Sequence, residues 1–159
     1  TNPNDFKVWD FGYGVAGAEK LEGPYKFHPH RITSEGLQLE DVSAFTMEGR
    51  VYLLSRDIRG SLGSRGGGLL WKSKSGLRFD SKDTVRAFED LAAYLGRQKL
   101  AAAKVYRGDK DGHLERPQLL FTGDGRIYMY VATGINTSPG HGSATHEFRV
   151  RMTGNGRTE

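Results

Sequence analysis

Apolar and polar positions alternate with a period of two in several stretches of this chain, and one block of apolar run, turn and apolar run occurs twice. The first copy is Leu39-Glu40-Asp41-Val42-Ser43-Ala44-Phe45-Thr46-Met47-Glu48-Gly49-Arg50-Val51-Tyr52-Leu53-Leu54. The second runs over 113–131. Setting Phe45-Thr46 on Phe121-Thr122 places Gly49-Arg50-Val51-Tyr52 on Gly125-Arg126-Ile127-Tyr128 at an offset of 76, and Leu39-Glu40 matches Leu114-Glu115 at 75. Each copy is an apolar run, a turn (Met47-Glu48-Gly49-Arg50 or Gly123-Asp124-Gly125-Arg126) and a β-branched, aromatic run, which predicts two hairpins of antiparallel strands.

The repeat extends further. Leu69-Leu70-Trp71-Lys72-Ser73-Lys74-Ser75-Gly76 alternates before a glycine turn, and Phe148-Arg149-Val150-Arg151-Met152-Thr153-Gly154 does the same, with Phe148 on Trp71 at an offset of 77. A third strand of this kind, begun by the alternation of Trp9, Phe11 and Tyr13, leads through Val15 to a turn at Leu21-Glu22-Gly23-Pro24-Tyr25. The chain therefore reads as all-β: the end of one unit over about 5–30, a full unit over about 37–80 and another over about 105–153. Short meandering units with glycine-rich turns predict a partial β-propeller of about two and a half blades, of the five-bladed kind. The alternative is an ordinary antiparallel sandwich with a chance repeat.

One stretch departs from this period. Val85, Phe88, Leu91, Ala92 and Leu95 recur at intervals of three to four, predicting one inserted helix near 81–96, capped by Ser81 or Asp83 and stopped by Gly96. The glycine-rich 59–68 reads as a flexible connector and 134–147 as a Gly/Ser/Pro loop carrying His141 and His146. Residues 1–8 and 154–159 read as loose ends. His28-Pro29-His30 reads as a surface loop, since no carboxylate stands near in sequence to complete a metal site.

Composition agrees with a turn-rich sheet protein: 22 of 159 residues are glycine, about twice the usual share. No run of about 18 apolar residues exists, so no membrane span is expected. The absence of cysteine excludes disulfides and thiolate metal sites. The net charge of +4 is spread along strands (Lys72, Lys74, Arg149, Arg151) as on a solvated face, so nucleic acid is not the expected partner, and an anionic carbohydrate fits the charge better.

In a propeller the first strand of each unit lines the central channel. Here those strands open with Glu40-Asp41 and Glu115-Arg116. Such charges point either to a polar pocket at the channel mouth or to a salt bridge between units. Glycoside hydrolysis needs two carboxylates across a sugar. In that reading Asp41 helps Glu40 to keep a proton, these two being the candidate catalytic pair, and Arg116 holds Glu115 to orient hydroxyls. His146 begins the last strand where Leu69 begins its counterpart, and joins Glu115 and Arg116 as a candidate substrate contact.

The order of these elements resembles the five-bladed propeller glycoside hydrolases of family 43 and their relatives of the family 117 type. The resemblance rests on Gly23-Pro24-Tyr25 after a strand, Glu40-Asp41, Gly68-Leu69-Leu70-Trp71-Lys72-Ser73-Lys74-Ser75-Gly76-Leu77, and Glu115-Arg116-Pro117. It covers about 10–152; Ser75-Gly76 stands where that family has Asp-Gly. It implies hydrolysis of plant or algal oligo- or polysaccharide, by inversion, in a secreted or periplasmic protein. It also implies that this chain matches the C-terminal half of such an enzyme, the blade with the catalytic base lying elsewhere, so that either a missing N-terminal half or self-association would complete the ring. No cofactor is implied, a channel metal near His146 being left open. The other reading is a non-catalytic carbohydrate-binding or assembly module with the same fold.

Overall fold

The structure, a computed structural model, describes residues 11–63, 65–102, 112–137 and 140–151. They form an all-β protein of three antiparallel sheets. The first is a two-residue ladder of β1 (Ala16–Gly17) and β2 (Lys26–Phe27). The second is a four-stranded meander of β3 (Leu39–Met47), β4 (Arg50–Asp57), β5 (Gly68–Ser73) and β6 (Val85–Phe88). The third joins β7 (Glu115–Phe121), β8 (Ile127–Thr137) and β9 (Gly140–Val150).

Both hairpins form at the expected turns. Between β3 and β4, Glu48 and Gly49 take φ of 50° and 68°, a two-residue loop whose left-handed geometry suits the twist of the strands. The second turn is longer. The Thr122 N–H donates to the Arg126 carbonyl and the Gly125 N–H to the Thr122 carbonyl, both at 3.0 Å, and Gly125 takes φ of 79°.

The repeat is visible in the backbone as well. The β3–β4 register slips between Glu40 and Ser43, and the β7–β8 register slips between Glu115 and Gln118. The bulged residues, Asp41 and Arg116, both adopt positive φ, 56° and 52°. The pairing Ser55↔Leu69 in one unit likewise recurs as Val131↔His146 in the next. Strands β3 and β7 lie side by side without a shared ladder: Ser43 Oγ donates to Gln118 Oε1 at 3.5 Å, and Phe45 meets Phe121 at 5.4 Å between ring centroids.

Two cores separate the sheets. One packs Ile32, Leu53, Leu69, Trp71 and Phe79 between the N-terminal segment and the second sheet. The other packs Leu54, Phe88, Leu91, Leu114, Met129 and Val131 between the second sheet and the third. The second sheet is thus covered on both faces, which is why β4 reads Val-Tyr-Leu-Leu with no polar residue until Ser55. Within the first core the Trp71 indole donates to Ser55 Oγ at 2.9 Å, leaving its one polar atom satisfied.

Three expectations are corrected. The helix near 81–96 is not continuous: Ser81–Asp83 is a single 3-10 turn, 85–88 is strand β6, and the helices are α1 (Leu91–Leu95) and α2 (Arg97–Ala102). Val85 and Phe88 pair with β5, which gives the outer backbone groups of β5 partners that a helix would not supply. Asp90, not Ser81 or Asp83, caps α1 by accepting from the Ala93 N–H at 3.0 Å, and Gly96 ends it at φ of 76° as expected. The 59–68 connector is not loose throughout. Asp57 is fully buried and accepts from the N–H groups of Ser61, Leu62 and Gly63 at 2.9–3.1 Å. Gly67 and Gly68 lie against Phe88 so closely that neither has room for a Cβ.

The third correction is the 134–147 loop, which is mostly strand. β8 and β9 continue as a ladder to Thr137↔Gly140, past Ala132, where β7 stops pairing. Backbone pairing carries Gly134 and the glycines of β9 into the sheet, despite their weak strand preference. At the other end, Phe11 makes only an isolated parallel bridge to Gln38, and the early strand is confined to Ala16–Gly17. Trp9, the expected loose ends at 1–8 and 154–159, and 105–111 at the start of the expected last unit lie outside the described residues. Among the described residues no helix is long and apolar enough to cross a membrane.

Candidate functional site

The two bulges decide where the charges at the strand starts point. A regular ladder counted back from the β3–β4 turn would pair Arg56 with position 41. The bulge shifts it by one, so Arg56 pairs with Glu40. Arg56 is buried and its guanidinium reaches both units. Nη1 donates to Glu40 Oε2 at 3.2 Å and to Glu115 Oε1 at 2.8 Å, and Nη2 lies 2.7 Å from His113 Nδ1. Arginine has no acceptor, so His113 Nδ1 takes the bond. The main chain of His113 is held in turn by Thr133, whose hydroxyl donates to its carbonyl at 3.0 Å. Its neighbour Leu114 donates its N–H to the Gly66 carbonyl at 2.9 Å.

Glu40 and Glu115 are therefore brought together, from equivalent positions of the two repeats, through a residue outside the expected set. Arg116 does not hold Glu115. Its backbone N–H donates to Asp41 Oδ2 at 3.1 Å, so Asp41 and Arg116 tie one bulge to the other. The left-handed backbone at both positions turns their side chains away from the regular pleat. Asp41 thus has a positioning role between the strands.

Tyr13 completes the inner side of the cluster. Its hydroxyl is buried, and burial pushes the phenol well above its ordinary value of 10.0. Ser55 pulls the other way, and the charges of Asp41 and Glu40 raise it further. Ser55 Oγ already accepts the Trp71 indole, and the Tyr13 hydroxyl finds no hydrogen-bond partner of good geometry. The phenol stays protonated beside two carboxylates, a neutral O–H with capacity to spare. Arg56 Nε is also buried without a partner.

His146 stands apart. It lies on β9, across β8 from β7, opposite Val131, and Nε2 is buried with no hydrogen-bond partner. Burial pushes its pKa below the ordinary 6.5. It makes no described contact with Glu40, Glu115 or Arg56. His141 lies on the same strand. His28 and His30 stand 6.0 Å apart between ring centroids on an exposed loop. Among the described residues no group of three His, Asp or Glu is placed to hold a metal ion.

The two glutamate oxygens share one nitrogen, so they lie at most about 6 Å apart. The space between them holds the Arg56 guanidinium rather than a sugar ring. Glu40 keeps its other oxygen free of any bond among the described residues, and its side chain is 47% exposed against 30% for Glu115. The arrangement offers outward-facing carboxylate oxygens fixed by a buried cation, a geometry suited to accepting hydroxyl groups. Arg56 and His113 were not apparent as site residues in sequence; the signal for Arg56 was the hairpin register, which sets it beside Glu40-Asp41. Comparison of the chain with protein-family models, with curated proteins and with solved structures returns no match to any of them.

Proposed function

We propose that this chain is a segment of a β-propeller, glycoside hydrolase-like protein acting on plant or algal oligo- or polysaccharide, with the Glu40–Arg56–Glu115 cluster at the mouth of its channel. The observation that carries the reading is the meeting of Glu40 and Glu115, from equivalent bulges of two repeated units, on one buried arginine. Repeated sheets stacked face to face, with their first strands side by side, are what a propeller requires near its axis. Polar residues gathered at those first strands give a sugar a place to bind. In this reading Glu40, the more exposed of the two, is the proton donor to the leaving oxygen. Arg56 keeps Glu115 oriented toward sugar hydroxyls, and the water-activating carboxylate comes from a blade outside this chain. A secreted or periplasmic location accompanies that role.

A second reading is favoured by one observation. Arg56 occupies the gap between the two carboxylates, so the cluster as it stands binds rather than cleaves. The chain is then a non-catalytic carbohydrate-binding or assembly module of the same architecture.

The two separate on Glu40→Gln, tested by calorimetric binding and by reducing-sugar release from plant and algal oligosaccharides. Proton donation by Glu40 predicts a loss of turnover of about 10²-fold or more with binding retained. Binding by the unaltered chain with no release of sugar supports the second reading. Equal loss of binding and turnover would contradict the acid role of Glu40, and absence of binding to every neutral saccharide would overturn both readings.

A further inference from the structure

A concavity lies at the opposite end of β4 from Arg56. It is a groove of about 550 Å³ between the end of β5 and the segment 78–83. Five cations line it: Arg50, Lys72, Lys74, Arg78 and Lys82. Asp80 and Asp83 are its acids among the described residues. Asp80 is already shared by Arg78 at 3.7 Å and Lys82 at 3.6 Å. Arg50, Lys72 and Lys74 have no acidic partner among the described residues.

The sheet brings these three together. Tyr52 pairs with Lys72 and Val51 with Ser73, so the next step outward sets Arg50 opposite Lys74. Like charges on adjacent strands repel, and nothing in the fold demands cations at the end of this ladder. The turn beyond β5 is held by its serines: Ser73 Oγ accepts from Gly76 N–H at 3.0 Å and Ser75 Oγ from Leu77 N–H at 3.2 Å. Lys74 is thereby carried on a formed turn.

We infer that this groove binds the sulfate or carboxylate groups of an acidic polysaccharide. Unpaired cations in a concave site are matched by oxyanions, and its volume is that of a small-ligand cleft. Among the described residues no aromatic side chain lines it, so the bases of a single-stranded nucleic acid have no ring to stack on. A duplex needs a broad basic face rather than a cleft. The choice of a saccharide rests on the carbohydrate reading above; the anion site itself does not.

The test measures binding of a sulfated galactan oligosaccharide, an oligogalacturonate, a neutral galactan oligosaccharide and a twelve-base-pair DNA duplex at low salt. Lys72→Ala/Lys74→Ala should weaken the sulfated or uronate ligand about tenfold. Lys72→Arg/Lys74→Arg should retain it. Added salt should weaken it and should not touch neutral-sugar binding at the Glu40 cluster. Binding of the acidic saccharide without any binding of the neutral one supports the groove while removing the carbohydrate reading of the Glu40 site. Unchanged affinity in the double alanine variant, no binding of either acidic saccharide, or DNA bound as tightly as they are would overturn the inference.

Discussion

Arg56 shows how much one residue decides. It is a buried cation with two carboxylates and a histidine around it and with Nε unpaired. Replacing it removes the one tie between Glu40 and Glu115 among the described residues. The glutamates remain reachable by water, so the loss is smaller than for a fully buried pair. We expect Arg56→Ala to lower stability by about 2 kcal/mol and Arg56→Lys, which cannot fork to three partners, by about half of that; chemical denaturation measures both. A thermally neutral Arg56→Ala would show that the cluster contributes nothing to joining the two units. His146 gives a second residue-level case. Its counterpart in the preceding repeat is Leu69, which is fully buried. The unfolded chain protonates this imidazole near 6.5, whereas burial lowers its value in the folded chain. Its contribution is therefore fully present above pH 6.5 and is lost as pH falls through the folded value. His146→Leu should raise the melting temperature at pH 7 and reduce the fall in stability between pH 7 and pH 5. A variant with the same acid slope as the parent would place that slope elsewhere.

At the scale of elements, the glycines before β5 illustrate close approach. The ring of Phe88, itself 2% exposed, fills the space a Cβ at Gly68 would occupy. Gly68→Ala must push β6 away from β5 or force the ring off its rotamer, at about 3 kcal/mol. Loss of the β5–β6 ladder should appear first as faster amide exchange in Val85 and Arg86, before the rest of the sheet opens. This is also where sequence reading fell short. The interval of three to four from Val85 to Leu95 is common to a helical face and to a strand followed by a short helix. The pattern held the strand β6 and the helix α1 without marking the boundary between them. Asp90, which caps α1, was the residue that could have marked it. The hairpins were legible because Glu-Gly and Asp-Gly turns carry backbone geometry in their own residue types. The bulges were not, since Asp41 and Arg116 adopt positive φ only because facing strands hold them there.

For the whole molecule, the sheets leave edges at β6 and β9, and Val42, Leu120 and Phe121 on the adjoining strands β3 and β7 are 40–48% exposed. Unpaired strand edges and exposed apolar side chains favour association. Light scattering after size exclusion should give a mass above the 17.6 kDa of one chain. Val42→Lys/Leu120→Lys should reduce it toward the single chain if the apolar strands, rather than the edges, form the contact. A stable single chain at high concentration would mean that these surfaces are tolerated in water, and would weaken the propeller reading with them.

Sequence alone determined the strand character, the repeat at 75–77 residues, the turn positions and the pairing of Glu40 with Glu115 as equivalent residues, because each is written in local residue type and spacing. Tertiary structure alone decided that Arg56 and His113 join those glutamates, that Asp41 serves the backbone of Arg116, that 85–88 is a strand, and that scattered lysines and arginines share one groove. The physical reason is common to all four. A one-residue register slip, or the approach of two sheets, changes which side chains meet, and neither is encoded in any short stretch of the chain.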